Sequence, residues 1–339
     1  MHTLAGTSRG LFLVDGTGTR SVLDARGVRE LVQLGDRIFA GTSNGVHVSE
    51  DGGATWRCLG IEGRAVWQVR GSADGALLYA AAEPTGLFRS RDGGASWTEL
   101  DTLARVPGAD AWCVPVEPRL PARARALVVD AADPRRLWVG VEVGGILRST
   151  DEGDTWQLVL PGENPDIHML AADPANPQRL YASTGYGRLD GIAPMLEGNA
   201  GVFRSDDGGV TWQYAWKGIV PRYSRPMCVD ARAPHALTVA SAPTAFSNVR
   251  EEGGAQAMLF RSLDGGASWR SLCDAAHSPS AANFHGLAPH PSAPGDVVVG
   301  TDSGEVWHVT DDARWTRLAE GLPTVLAVLA VDVAAGAAA

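Results

Sequence analysis

Ser49-Glu-Asp-Gly-Gly-Ala-Thr-Trp56 is the stretch that decides the fold, because the chain repeats it. It returns as Ser90-Arg-Asp-Gly-Gly-Ala-Ser-Trp97, Ser149-Thr-Asp-Glu-Gly-Asp-Thr-Trp156, Ser205-Asp-Asp-Gly-Gly-Val-Thr-Trp212 and Ser262-Leu-Asp-Gly-Gly-Ala-Ser-Trp269. A worn sixth copy, Thr310-Asp-Asp-Ala-Arg-Trp315, keeps the acid and the tryptophan. Each part of the pattern has a physical task. The Ser and Asp side chains satisfy backbone amides of a tight turn, and Gly takes the positive φ that such a turn demands. The Trp is expected to open the next strand and bury a large apolar face. Six copies of one turn mean six copies of one supersecondary unit.

Working outward, each repeat reads as four short strands separated by Gly- or Asp-rich turns. In one unit these are Glu30–Leu34, Arg37–Gly41, Gly45–Val48 and Thr55–Leu59. The same grammar runs from Ala65 to Leu100, Ala124 to Leu160, Ile167 to Tyr214, Pro226 to Leu272 and Phe284 to Leu318. The first unit, Leu4–Asp24, lacks an inner strand, and an orphan apolar segment, Thr324–Val333, stands at the other end. The expectation is an all-β chain: a single seven-bladed β-propeller of four-stranded antiparallel blades spanning 1–339. Its C-terminal inner strand, 324–333, closes the N-terminal blade and removes exposed edges.

These motifs resemble the Asp box, or BNR repeat, of sialidase-like and glycosyl-hydrolase-like β-propellers, and the resemblance covers nearly the whole chain. It implies a fold more than a chemistry. Asp boxes occur in sialidases, xyloglucan-cleaving glycosidases, sortilin-type receptors and photosystem assembly factors. Sialidases carry an arginine triad, an Arg-Ile-Pro motif and a Tyr–Glu pair. Arg29, Arg125 and Arg225 could imitate the triad, with Tyr223 nearby, but no Arg-Ile-Pro occurs, so sialidase activity is not expected. Xyloglucan-cleaving relatives use two propellers, and this chain has material for one.

A formal charge of −10 argues against nucleic acid and against anionic membrane surfaces as partners. No apolar run approaches a transmembrane span. The N-terminus shows no secretory signal pattern, and the four cysteines lack metal-type spacing. Free thiols in a cytoplasmic protein is the reading that follows.

Antiparallel alternation sorts the loops onto two faces. The boxes share one face with the turns after the inner strands, such as Asp173–Gln178. The link Asp101–Arg123 and the loops Ser183–Ala200 and Ser241–Gln256 fall on the other, where long loops are expected to carry function. Aligning inner strands on their following turns brings Asp130, Asp173, Asp230 and His290 into register. Five residues upstream of each stand Arg125, His168, Arg225 and His285, and a looser alignment adds Arg29 and Trp67. The expected ring at the funnel mouth suits a carboxylate, phosphate or other anion.

The candidate catalytic residues are His168, His285, Glu142 and Tyr223; the candidate ligand-binding residues are Arg29, Trp67, Arg125, Arg225, Tyr186 and Trp112. Two alternatives stay open. The arginines could simply pair with loop acids such as Glu83, Glu142 or Glu197, or His168 and His285 could hold a metal with a loop carboxylate. No cofactor is specified by any spacing. The expected ligand is small and anionic or sugar-like, met by a hydrolase or lyase if the site is catalytic. The competing expectation is a non-catalytic binding or assembly scaffold with a protein partner over the loop-rich face.

Overall fold

The structure is a computed structural model that describes residues 1–114, 118–186, 200–244 and 253–332. Most of the two loops 183–200 and 241–256, including Glu197 and Glu251, lies outside the described residues. Seven four-stranded antiparallel sheets form seven blades, six of them running in chain order from inner to outer strand. The first blade is composite. Its inner strand, Val325–Val331, pairs with His2–Thr7, which is followed outward by Arg9–Asp15 and Gly18–Arg26. The closing strand therefore sits where the missing inner strand left a vacancy.

Strand composition explains the packing. Middle strands such as Leu78–Glu83 and Leu137–Val141 are rich in Val, Leu and Ala and buried almost throughout, because each blade has a neighbour against both faces. Seven apolar clusters result, each shared by two adjacent blades. One joins Tyr79, Ala81 and Leu87 to Leu127, Leu137 and Val139; another joins Val298 and Val306 to Ala5, Val14 and Val328 across the seam. Small residues allow the close approach: a Cβ on Gly41 or Gly140 would collide with the next blade's inner strand at Val66 or Ile167.

The repeated turn forms the same hydrogen-bond set in five blades. In the first copy Ser49 Oγ accepts the Gly53 amide at 2.8 Å and donates to Asp51 Oδ1 at 2.8 Å. Asp51 then accepts the Thr55 amide at 2.9 Å and the Thr55 hydroxyl at 2.6 Å. These bonds keep the turn carboxylates ionised. The Ser96 hydroxyl is the largest influence on Asp92, which is lowered to about 2.

The tryptophans correct the sequence reading. In five copies the Trp stands just before the outer strand, which starts at Arg57, Thr98, Gln157, Gln213 or Arg270. The ring is half-buried and works between blades. Trp97, Trp269 and Trp315 donate Nε1–H to the carbonyls of Leu59, Ala215 and Leu272 in the preceding blade, at 3.2, 2.7 and 2.8 Å. An indole can satisfy its donor and cover apolar surface at once, which suits it to a seam better than to a sealed core.

Candidate functional site

The inner strands share a defect at the end away from the boxes. Their pairing slips by one residue between Val66 and Gln68, Ala124 and Ala126, Ile167 and Met169, Ser224 and Met227, and Phe284 and Gly286. The residues in the slips are Trp67, Arg125, His168, Arg225 (with Pro226) and His285. A bulge places two residues opposite one and re-aims the extra side chain, a device common at rims and sites. Arg29 takes the equivalent place: its amide bonds to Gly41 O at 2.9 Å, while Glu30 pairs with the same Gly41. The remaining position, in the composite first blade, is Leu326, skipped between Ala327 and Val325.

Around this ring the charges interlock. Arg125 Nη1 lies 3.1 Å from Glu142 Oε1, and Arg123 Nε lies 3.4 Å from Glu142 Oε2 and 3.7 Å from Glu83 Oε2. Trp67 donates its Nε1–H to Glu83 at 3.0 Å. Its ring is flanked by the guanidiniums of Arg29, Arg123 and Arg125, at 4.9, 5.1 and 5.3 Å. Trp67 thus anchors arginines, which leaves it a poor stacking platform for a sugar. Glu142 Oε2 and Arg123 Nε are both buried without a hydrogen-bond partner.

A second group completes the mouth. The link before the fifth blade brings in Asp166, which forms a β-bridge with Glu142. His168, buried at 3% exposure, holds its Nδ1 2.6 Å from the Ser224 carbonyl, so Nδ1 carries the proton. Its Nε2 faces both Tyr223 Oη and Asp166 Oδ1, each at 3.2 Å. The Arg225 guanidinium lies 5.3 Å from the centre of the Tyr223 ring, and Tyr186 meets that ring edge-on at 5.0 Å.

The electrostatics follow from burial and these neighbours. Burial raises the Tyr223 phenol, and Arg225 only partly opposes it. Burial works against the charge of Arg225, but Tyr223, Glu142 and Asp166 more than offset it. Burial also opposes ionisation of Glu142 and Asp166; Arg125 and Arg123 reverse this for Glu142, and His168 with Arg125 for Asp166, so both carboxylates are held low. His285 is pushed down to about 3 by burial, then by Arg225 and Arg125, and stays neutral.

Of the residues expected from the sequence, Arg29, Trp67, Arg125, Glu142, His168, Tyr186, Tyr223, Arg225 and His285 stand at the mouth. Trp112 does not join their contacts; it packs on the apolar cluster under the long link, with its ring against Gly144. The pairing of arginines with Glu83 and Glu142 is also present, so ring and ion pairs coexist. Glu142, Asp166 and His168 offer three metal-type donors within 4.8 Å of one another. The nearby guanidiniums of Arg123, Arg125 and Arg225 disfavour a cation there. Arg123 and Asp166 were missed by the sequence alignment. They precede their strands, where a register counted back from the turn selects only one residue per blade.

The chain resembles xyloglucanases at low identity. A xyloglucanase of a Paenibacillus species is 26% identical over 294 residues, covering 71% of this chain and 24% of that protein. An oligoxyloglucan-reducing end-specific xyloglucanase of Emericella nidulans is 25% identical over 303 residues, covering 75% and 34%. This chain therefore spans about a quarter to a third of the length of these curated relatives. No family model matches. Among solved structures, the GH74 xyloglucanase from Xanthomonas campestris superposes with a TM-score of 0.62 at 18% identity, over 88% of this chain and 46% of that one. YCF48 from Cyanidioschyzon merolae gives 0.56 at 15% identity, over 86% and 85%. These superpositions speak for the shared propeller alone.

Proposed function

We propose that the funnel mouth binds a small carboxylate-bearing sugar and acts on it by acid–base chemistry centred on Tyr223. The observation that carries this reading is the set of bulges that turns Arg125, His168, Arg225 and His285 toward one another. The sugar class is suggested by the xyloglucanase relatives, and the negative charge by Arg29, Arg123, Arg125 and Arg225 facing Glu83, Glu142 and Asp166. His285 is neutral, and the seven charged groups named here, all among the described residues, comprise four arginines and three carboxylates.

The chemistry favoured is elimination. Tyr223 passes its proton to His168 Nε2, and Asp166 stabilises the imidazolium that forms. The phenolate oxygen, beside Arg225, takes the proton α to the substrate carboxylate. The electron pair left behind forms a carbon–carbon double bond as the β carbon–oxygen bond breaks; the Tyr223 phenol gives its proton to the leaving oxygen, and the buried imidazolium then returns a proton to Tyr223. Hydrolysis by the Glu142–Asp166 pair is less well supported, because a glycosidase needs one carboxyl raised and protonated and here both are lowered.

Calorimetry with glucuronate and galacturonate, against glucose and xylose, tests the binding. The uronates should bind, the neutral sugars should not, and affinity should fall with salt. Arg125→Met combined with Arg225→Met should weaken uronate binding at least tenfold. Equal affinity in the double variant would sink the site. With a 4-linked uronate oligomer, ultraviolet absorbance of an unsaturated product supports elimination, whereas new reducing ends without it would mean hydrolysis.

A further inference from the structure

The opposite end of the seventh blade holds a second cluster that the funnel does not use. His290 follows the inner strand, Phe284–Pro289; Asp296 precedes the next strand, and His308 lies on the third. Their donor atoms lie within 4.8 Å of one another. The rings of His290 and His308 stack with centroids 4.0 Å apart.

Blade-to-blade register makes this cluster a coordinated departure. In the fourth blade the same three positions are Asp130, Arg136 and Arg148; in the fifth they are Asp173, Arg179 and Arg204. There an acid faces arginines, as in the Arg136–Asp130 pair at 3.1 Å and the Arg179–Asp173 pair at 3.5 Å. The sixth blade keeps the acid and one arginine, as Asp230 and Arg261, with Ala236 between them; the seventh replaces all three, giving imidazole, carboxylate and imidazole. One such change would be drift in a repeat; three at one spot convert an ion-pair site into a donor set.

The hydrogen bonding points the same way. Asp130, Asp173 and Asp230 each accept a turn amide, from Ala132, Ala175 and Arg232 at 2.8, 2.9 and 2.9 Å. His290 does this with Nδ1, 3.2 Å from the Ser292 amide, which requires an unprotonated Nδ1. That same Nδ1 is 2.7 Å from Ser292 Oγ, which is 2.6 Å from Asp296 Oδ2 and 3.3 Å from His308 Nε2. The hydroxyl has one proton and two close acceptors. His308 Nε2 also lies 3.0 Å from Asp296 Oδ2, so two imidazoles, a carboxylate and a hydroxyl converge on one spot.

We propose that His290, Asp296 and His308 form a site for a transition-metal dication of the zinc, cobalt or nickel class, with Ser292 Oγ or a water as the fourth donor. Imidazole with carboxylate suits these ions better than calcium or magnesium. Donors on a tetrahedral ion stand roughly 3.5 Å apart, so the stacked rings must splay as the three donors close on the ion. Asp296 is already oriented, since its Oδ1 accepts the Asp311 amide at 3.0 Å from the worn sixth turn. The neighbouring cation Arg232 is engaged by Asp230 at 2.8 Å. Ser292 is exposed, which gives an ion a way in.

The test is titration of untagged, chelator-treated protein with Co2+, followed by visible absorption and calorimetry. One equivalent should bind with a d–d band and raise the melting temperature. His308→Arg, which restores the residue of the third to sixth blades, should melt as a folded protein and bind Co2+ at least tenfold more weakly. Should that variant not fold, His308→Gln serves for the same comparison. No binding by wild type, unchanged binding in the variant, or thiolate charge-transfer bands showing a cysteine site would each overturn the assignment.

Discussion

The two ends of the ring repeat in different ways. At the box end both the backbone turn and its residues recur: Ser, Asp and Gly make the same bonds in five blades, and only the partner of the Trp indole varies. At the funnel mouth only the backbone recurs, as a bulge or its equivalent, and its residue changes from Arg to Trp to His to Leu. A constant residue on a constant turn is what folding requires, because every blade has the same amides to satisfy. A constant bulge with varied residues supplies inward-facing positions whose chemistry is free to differ around the ring.

Opening the ring has the largest expected effect. Deleting the chain from Val325 removes the inner strand of the composite blade and exposes an edge to solvent. Loss of cooperative melting, with aggregation, is the expected result; an unchanged melting curve would refute closure by this strand. Ser205→Ala acts at the box end alone. Ser205 Oγ accepts the buried Gly209 amide at 2.9 Å and donates to Asp207 at 2.8 Å, so its loss should cost about 1–3 kcal/mol. Uronate affinity, measured by calorimetry well below the melting temperature, should not change. If it does, the two ends are not independent.

The smallest effect comes from the mouth. His285 has a folded pKa of about 3, against about 6.5 when unfolded. A lowered pKa means the unfolded chain binds the proton more readily. The neutral histidine's contribution is therefore complete above pH 6.5 and is lost as pH falls toward 3. Melting temperatures between pH 7.5 and 5 should drop less in His285→Gln than in wild type. Equal slopes would place His285 in solvent.

The fold was legible because repetition did the averaging: five near-identical turns fixed the blade, and a missing strand paired with an orphan one fixed the closure. The mouth was legible wherever a residue kept a countable distance from its turn, as Arg125, His168, Arg225 and His285 do. Leu326 follows no such turn, and Asp166 enters through a bridge to Glu142 that spans two blades. Trp112 misled for a related reason. Membership in a loop on the right face says nothing about whether a side chain turns to the funnel or back onto the core.

The composite first blade also sets an order of events. His2 pairs with Val331, near the two extremes of the described chain. During synthesis the first three strands must wait, with one edge unsatisfied, until nearly every other blade has emerged. Pairing of such distant segments is slow, because the loop must close before its contacts form. While it waits, the nascent chain is an arc whose free edges can pair with a second copy.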